Sequence, residues 1–580
     1  MHPIPAPLKI TLSGAFLFLA SVACGAEATA SAIGLLEGHA DIGAVAHAGS
    51  AKFDAATSTY TLTGGGADIW GTADAFHYGY KKVAGDIDLQ ADVAWIGTSP
   101  TASRKAGVML RQSLAPDSPY ADIVVHGDGH IGFQFRQTPG GPTQEVTTTI
   151  KAPVTLRLER NGTGPADTLA GPNAPHVINA SVKRPGGAWQ NLGSLTVVLG
   201  AEPYAGLAVT AHDNARSETA VFSKVALTSN VVTGPRVRET TLEIFDLTTG
   251  ERHTVFRENN NYEAPNWTLD GTKLIVNRRV PRPAGAASAT PATPAPAVAT
   301  ATPASPPPTG AAPAAPAGRG GRGGGQSLLF AIPVTGGTPV VIPTGGVTNI
   351  NNDHAISFDG KWLGISASFG GNSKIFVAPI EGVAPGTEPR QVTPTGPSWF
   401  HGWSPDGKTL AYCAQQRPNS DGIGDIYIIP ADGSGPEVRL TTADGLDDGP
   451  EYSPDGKYIY FNSVRSGNMK IWRMKPDGSE QTQVTDSDPN YNDWFGHVSP
   501  DNKHLVFISF GKDSPPGKHD ADKNVVLRLL PIDASPGTKP KTLVTLYGGQ
   551  GTINTPSWSP DSKRFAFVSY RYVAAPAPAP

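Results

Sequence analysis

At 580 residues the chain is too long for one hydrophobic core, so two or more domains are expected. A formal net charge of −4, with 17% charged residues, excludes the basic surface of a nucleic-acid binder. Gly (67) and Pro (54) are abundant, as turn-dense all-β chains and low-complexity segments require, and long amphipathic helical patterns are missing.

The first predicted element is a targeting signal over residues 1–26. Lys9 precedes the apolar run Ile10–Val22, and small residues follow at Ser21-Val22-Ala23. The run is short for a membrane span, and no later run is long enough for one. The mature chain is therefore expected to be periplasmic or secreted, with no transmembrane segment. Val-Ala-Cys-Gly resembles the cleavage site of bacterial lipoproteins, which implies a lipid anchor at Cys24. Ser21 stands where that pattern has Leu, so ordinary cleavage after Ala23 or Ala26 is the competing reading. The other cysteine, Cys413, lies in the strand-like LAYCAQ and reads as a small buried hydrophobe. Without a disulfide framework, the cores alone must hold the fold.

Residues 32–228 form the first β-rich unit. Runs such as DIDLQADVAWI, AGVMLRQS, ADIVVHG, IGFQFRQ and VTLRLER are bounded by Gly, Pro, Asp and Asn. Many short strands without helical alternation predict a β-sandwich or jelly roll. GGGADIWGTADAFHYGY, KAGVMLRQSLAPDSP, VTLRLERNG and YAGLAVTAHDNARSETAVFSKV together resemble concanavalin-like jelly rolls. That resemblance implies a two-sheet unit that binds saccharides or serves as an accessory module, not a catalyst. Its polar-aromatic cluster is Asp68, Trp70, His77 and Tyr78, with Trp70 expected in the core.

From 238 to 572 a repeat takes over. TLDGTK begins at Thr268, SFDGKW at Ser357, SPDGK at Ser404 and Ser453, SPDNK at Ser499 and SPDSK at Ser559. An apolar residue precedes each copy and a β-rich run follows it. The pattern predicts a tight turn between two strands, with Pro presetting φ, Asp capping locally, and Gly or Asn accepting φ > 0. Self-similarity at this spacing is the signature of propeller blades. The phrases SKIFVAPIEG, GDIYIIPADGSG and MKIWRMKPDGSE, with threonine-ended strands such as VRLTT and TQVTD, resemble the TolB-like propellers. The resemblance covers the whole repeat region and specifies a fold rather than a function. We letter the four strands of a blade A to D from the centre outward. The region opens with a C–D pair, TTLEIFDLTTGERHTVF, and closes with an A–B pair, TPSWSPDSKRFAFVSY. Six blades result, one shared between the two ends, which removes exposed edges. The fold class is thus all-β: a jelly-roll sandwich followed by a six-bladed propeller closed by pairing of its ends.

Two segments fall outside this pattern. Residues 281–326, rich in Pro, Ala and Gly, cannot bury a core and are expected to be a solvated insertion between strands B and C of one blade. Residues 573–580 read as a similar tail.

Residues just before each A strand ring one mouth of the propeller channel. The ring holds Glu263, Asn352, Asp353, His354, Trp399, His401, Asp447, Asp448, Glu451, Asp493, Trp494, His497 and Asn554. His354 and His401 occupy one repeat position, filled by Pro265, Pro450 and Pro556 in other blades, so the propeller does not itself demand histidine there. Glu263, Asp353, His354, Trp399, His401, Asp448, Trp494 and His497 are the candidate ligand-binding residues, with the imidazoles of His354 and His401 expected to be exposed. Aromatic faces beside carboxylates suit a protein segment or a saccharide. His354, His401 and His497 are also a candidate divalent-metal set. Among propellers of this superfamily the oligogalacturonate lyases place a metal on such histidines, although this chain lacks their wider pattern. No nucleophile elbow, phosphate loop, HExxH or CxxC occurs, and no hydrolase domain follows Tyr570 within this sequence. The expectation is a monomeric binding or scaffold protein with no resident cofactor. A metal-assisted polysaccharide lyase or hydrolase is the alternative.

Overall fold

The computed structural model describes residues 33–167, 173–281, 325–485 and 488–576. The targeting signal, Cys24, residues 282–324 of the insertion and residues 577–580 of the tail lie outside the described residues. Among the described residues no helix is long and apolar enough to cross a membrane.

The first unit consists of two antiparallel sheets of seven strands each. One runs Gly38–Ile42, Phe76–Lys82, Tyr204–Thr210, Lys105–Arg111, Tyr120–His126, His130–Arg136, Gln144–Lys151 in spatial order. The other runs Trp189–Val197, His176–Lys183, Thr155–Asn161, Asp86–Ile96, Glu218–Asn230, Thr59–Gly64, Ser50–Asp54. Alternation builds the core. Val108, Ile123 and Phe133 of the first sheet and Leu89, Leu156 and Ile178 of the second belong to one buried apolar cluster.

Five four-stranded sheets and one three-stranded sheet follow among the described residues, and they are the six blades. In the three-stranded blade Arg236–Asp246 pairs on one side with Glu251–Glu258 and on the other with Arg564–Ala574, which lies more than three hundred residues later. The bridge Trp558↔Phe565 supplies its innermost strand. The closure strand runs on to Ala574, two residues into the segment read as tail.

The repeated turns form as the residue types require. Ser404 Oγ donates to Asp406 Oδ1 at 2.6 Å and accepts from Thr409 N at 2.9 Å. Ser453 and Ser499 do the same, and Thr268 stands in for Ser in the first copy. The residue after the Asp is left-handed in every copy: glycine at 271, 360, 407 and 456, but Asn502 (φ 57°) and Ser562 (φ 61°) in the last two. Those two side chains accept hydrogen bonds from Asp455 N (3.3 Å) and Asp501 N (3.0 Å) of the preceding blade, which offsets part of the left-handed cost.

The two units are joined by polar links and by an apolar contact, in which Val177 of the first unit joins a propeller cluster with Tyr547 and Tyr570. Arg571 of the closure strand lies 2.8 Å from Glu159 of the first unit and 2.5 Å from Glu239. Tyr547 N donates to Ser194 Oγ and its hydroxyl donates to Thr163 O. Asn524 and Thr196 exchange two hydrogen bonds, at 2.9 and 2.7 Å.

Candidate functional site

The channel-mouth residues lie at the start of each A strand, and one local irregularity governs them. In all five four-stranded blades the A–B ladder slips at the same place: between Glu263 and Asn266, Ile350 and His354, Phe400 and Gly402, Asp448 and Glu451, and Trp494 and His497. A bulge takes side chains out of the strict inward–outward alternation. At the centre of the slip Ala264, Gly449 and Phe495 have φ of 56°, 61° and 50°. At Gly449 a Cβ would lie 2.5 Å from Asn462 Nδ2, so a larger residue there would displace that amide.

Backbone groups freed by the bulge are satisfied by the B strand of the preceding blade. Asn277 Nδ2 donates to Ile350 O, Ser366 Oγ accepts from Phe400 N, and Asn462 Oδ1 accepts from Phe495 N. Cys413 holds the equivalent position, and its Sγ donates to Asp447 O at 3.3 Å. The thiol is buried as expected, and it also serves as a polar link between blades.

The ring is buried rather than exposed. Asp353, His354, His401, Asp448, Trp494 and His497 are all buried, and Glu263 and Trp399 are half-buried. The bulges fold these residues into the seams between blades, where they find partners. His401 Nε2 lies 3.2 Å from Asp448 Oδ1, and its ring stacks on Phe495 at 6.0 Å. His497 contacts Glu451 Oε2 through Nδ1 (2.5 Å) and Ile553 O through Nε2 (2.6 Å). His354 Nε2 donates to Ile275 O at 3.3 Å. Lys470 sits 3.2 Å from Asp493, and Arg465 sits 2.7 Å from Asp447. Trp494 packs edge-on against His519, a residue the sequence pattern did not single out, at 4.3 Å.

The three histidines of the candidate metal set do not converge. Each takes a different partner in a different seam. Among the described residues, the group of three or more His, Cys, Asp or Glu whose ligand atoms lie within 4.8 Å of one another is His126, His130 and Glu145, in the first unit. Sequence reading missed this trio because Glu145 reaches it only through sheet pairing.

Burial sets the charge states of the ring. It pushes the carboxyls of Glu263, Asp447 and Asp493 upward, against Asn261, Arg465 and Lys470 respectively. Burial lowers His354 to about 4, against the carbonyl of Ile275. The folded value lies below the ordinary 6.5, so on acidification the unfolded chain takes up the proton first. Stability is therefore expected to fall between pH 6.5 and about 4, by on the order of 3 kcal/mol from this group. Urea melts at pH 7 and pH 4.5 check it: His354→Gln should flatten that limb, and an identical slope in the variant would show that other groups set it.

The polar-aromatic cluster of the first unit divides. His77 and Tyr78 are adjacent in one strand and so face opposite sides. His77 bonds Asp41 (2.7 Å) and His39 (3.1 Å), and the Tyr78 hydroxyl donates to Met109 O and Tyr204 O. Trp70 is 39% exposed rather than in the core, with Lys105 Nζ 5.0 Å above its ring. Lys105 in turn pairs with Asp68 at 2.7 Å.

Comparison with known proteins bears on the propeller. The PD40 family, described as a TolB beta propeller domain, matches residues 355–551. An uncharacterized protein of Agrobacterium fabrum is 37% identical over 347 residues, which is 59% of this chain and 97% of that protein. The Tol-Pal system protein TolB of Bordetella pertussis is 38% identical over 58 residues, 10% of this chain and 13% of TolB, so most of TolB has no counterpart in that match. A solved structure from Agrobacterium tumefaciens, described as a TolB candidate, is 37% identical, with a TM-score of 0.46, and covers 58% of this chain and 99% of its own. The slipped A strands, the capped turns and the near full-length relative lead to one assignment: the chain belongs to the TolB-like PD40 family of six-bladed β-propellers.

Proposed function

We propose that this chain is an exported binding protein whose propeller takes a protein segment or a saccharide at the mouth of its channel. Its first unit, read as a concanavalin-like jelly roll, acts as an accessory saccharide-binding module. The observation that carries this reading is the bulge repeated at one register position in five blades. Bulges are over-represented next to functional sites because they re-aim side chains. Here they fall on a set of carboxylates and aromatic rings set into the blade seams at the mouth, a chemistry suited to cationic peptide groups or sugar hydroxyls. The enzymatic alternative would route a metal through His354, His401 and His497, and their separate partners give it no support.

The test is capture of ligands by the full chain from a glycan array and from periplasmic extract. Replacing His401 by Gln and Asp448 by Asn keeps size and shape while altering the paired groups. Capture should weaken by about tenfold or more, which corresponds to roughly 1.4 kcal/mol, with little change in melting temperature. Equal capture by a folded double variant would reject the mouth and move the site to the first unit.

A further inference from the structure

The hairpin formed by Tyr120–His126 and His130–Arg136 ends in a three-residue turn, Gly127-Asp128-Gly129, with a histidine on each side. The turn is fixed by its own bonds. Gly129 N donates to His126 O at 3.0 Å, His130 N donates to Asp128 Oδ1 at 2.9 Å, and Gly129 has φ 83°. This holds the two imidazoles with ring centroids 5.1 Å apart. A third group comes from the next strand. Glu145 pairs in register with Gln134, yet its carboxylate leans back along the sheet until Oε1 lies 3.2 Å from His130 Nε2. Gly132 makes this pose available, because a Cβ there would sit 2.2 Å from Glu145 Oε1.

We propose that His126, His130 and Glu145 form a binding site for a first-row divalent cation, Zn²⁺ foremost, on the first unit. Two imidazole nitrogens and a carboxylate oxygen are the donor set of open zinc sites, which keep a further position for water or a ligand oxygen. Ligand atoms 2.0–2.1 Å from a tetrahedral ion are about 3.3 Å from each other, and His130 Nε2 and Glu145 Oε1 already stand at 3.2 Å. All three ligand atoms lie within 4.8 Å of one another. His126 Nε2 is buried with no hydrogen-bond partner, and a ring nitrogen of His126 lies within 4.8 Å of the ligand atoms of the other two residues. A hairpin built only to pair His130 with Glu145 would leave that nitrogen unexplained. The cation facing His126 across the sheet, Lys105, is already engaged by Asp68 (2.7 Å) and by Ile69 O (2.9 Å), which limits its repulsion of an incoming ion. The three residues are half-buried, so an ion can reach them from solvent.

The experiment is calorimetric titration of the untagged full chain with Zn²⁺, alongside Co²⁺ absorption as a reporter of coordination geometry. The expected result is one equivalent bound, an intense tetrahedral-type Co²⁺ spectrum, and a melting temperature that rises with Zn²⁺. His126→Ala and Glu145→Gln should each lower affinity by about a hundredfold or more and remove the Co²⁺ spectrum, because each deletes a ligand rather than a supporting group. His354→Gln with His401→Gln should change neither. Absence of Zn²⁺ binding by the wild-type chain overturns the proposal. So does equal affinity in folded His126→Ala or Glu145→Gln, or loss of binding only in the channel variant. Should His126→Ala fail to fold, the half-buried Glu145→Gln and the wild-type Co²⁺ spectrum still decide.

Discussion

Deleting Asn554–Tyr570 is expected to unfold the propeller rather than trim one blade. The deletion removes most of the strand whose ladder with Arg236–Asp246 runs without interruption from Arg236↔Ala574 to Asp246↔Arg564. It also takes Phe565, Phe567, Val568, Trp558 and Tyr570 out of two apolar clusters shared with neighbouring blades. Each buried side chain of this size contributes about 1.5–3 kcal/mol, so their sum approaches or exceeds the 5–15 kcal/mol that holds a typical domain. The truncation would leave the inner edge of Arg236–Asp246 largely unpaired and bare the faces of the neighbouring blades, an aggregation hazard. Circular dichroism and size exclusion of the truncated chain check this. The expected outcome is loss of the cooperative melt or insolubility, and a monomer with an unchanged melting curve would refute the closure.

The largest single-residue effect is expected at Asp74. Its carboxylate sits between two guanidinium groups, Arg111 at 3.0 Å and Arg136 at 2.7 Å, and all three side chains are fully buried. Arg136 also donates to Gly71 O, Ser118 O and Gly141 O, so the trio ties three loops to one face of the first sheet. Asp74→Ala leaves two buried positive charges without a counter-charge. Breaking a buried pair by removing one partner costs about 3–5 kcal/mol, a large share of domain stability. Asp74→Asn keeps an acceptor and the shape, so the difference between the two variants separates charge from hydrogen bonding. Urea denaturation of the full chain measures both, and a loss below about 1 kcal/mol in Asp74→Ala would show that water or loop movement compensates.

How much of this was legible beforehand depends on the range of the interaction. The SPDG turns are local: Ser, Asp and Gly at fixed offsets make their own hydrogen bonds, so the repeat and blade number could be read directly. Closure could be read from the order of the pairs, since a C–D start and an A–B end can only complete each other. The channel residues were located but not their environment. Nothing in NNDHAISF or SWFHGWSP tells that a bulge turns His354 and His401 into seams between blades, because the partners Ile275 and Asp448 come from neighbouring repeats. ADIVVHG and IGFQFRQ were legible as strands, but His126 and His130 were not singled out, and Glu145 joins them only through a strand register that sequence does not specify. Trp70 was misplaced because it follows the apolar Ile69, and nothing in ADIWGT tells that Ile69 is the one buried and Trp70 the one exposed.

The strand Arg564–Ala574 has two tasks, since it completes the ring and carries Arg571 onto Glu159 of the first unit. On the ribosome these tasks share a clock. Arg571 emerges 332 residues after its partner Glu239, a wait of roughly 15–70 s at 5–20 residues per second. Over that interval the first unit can fold while the blades stand as an open array with nothing to close against. Ring closure and docking of the two units then become one late event, and any factor that shields unpaired strand edges would act on this chain mainly before that strand arrives.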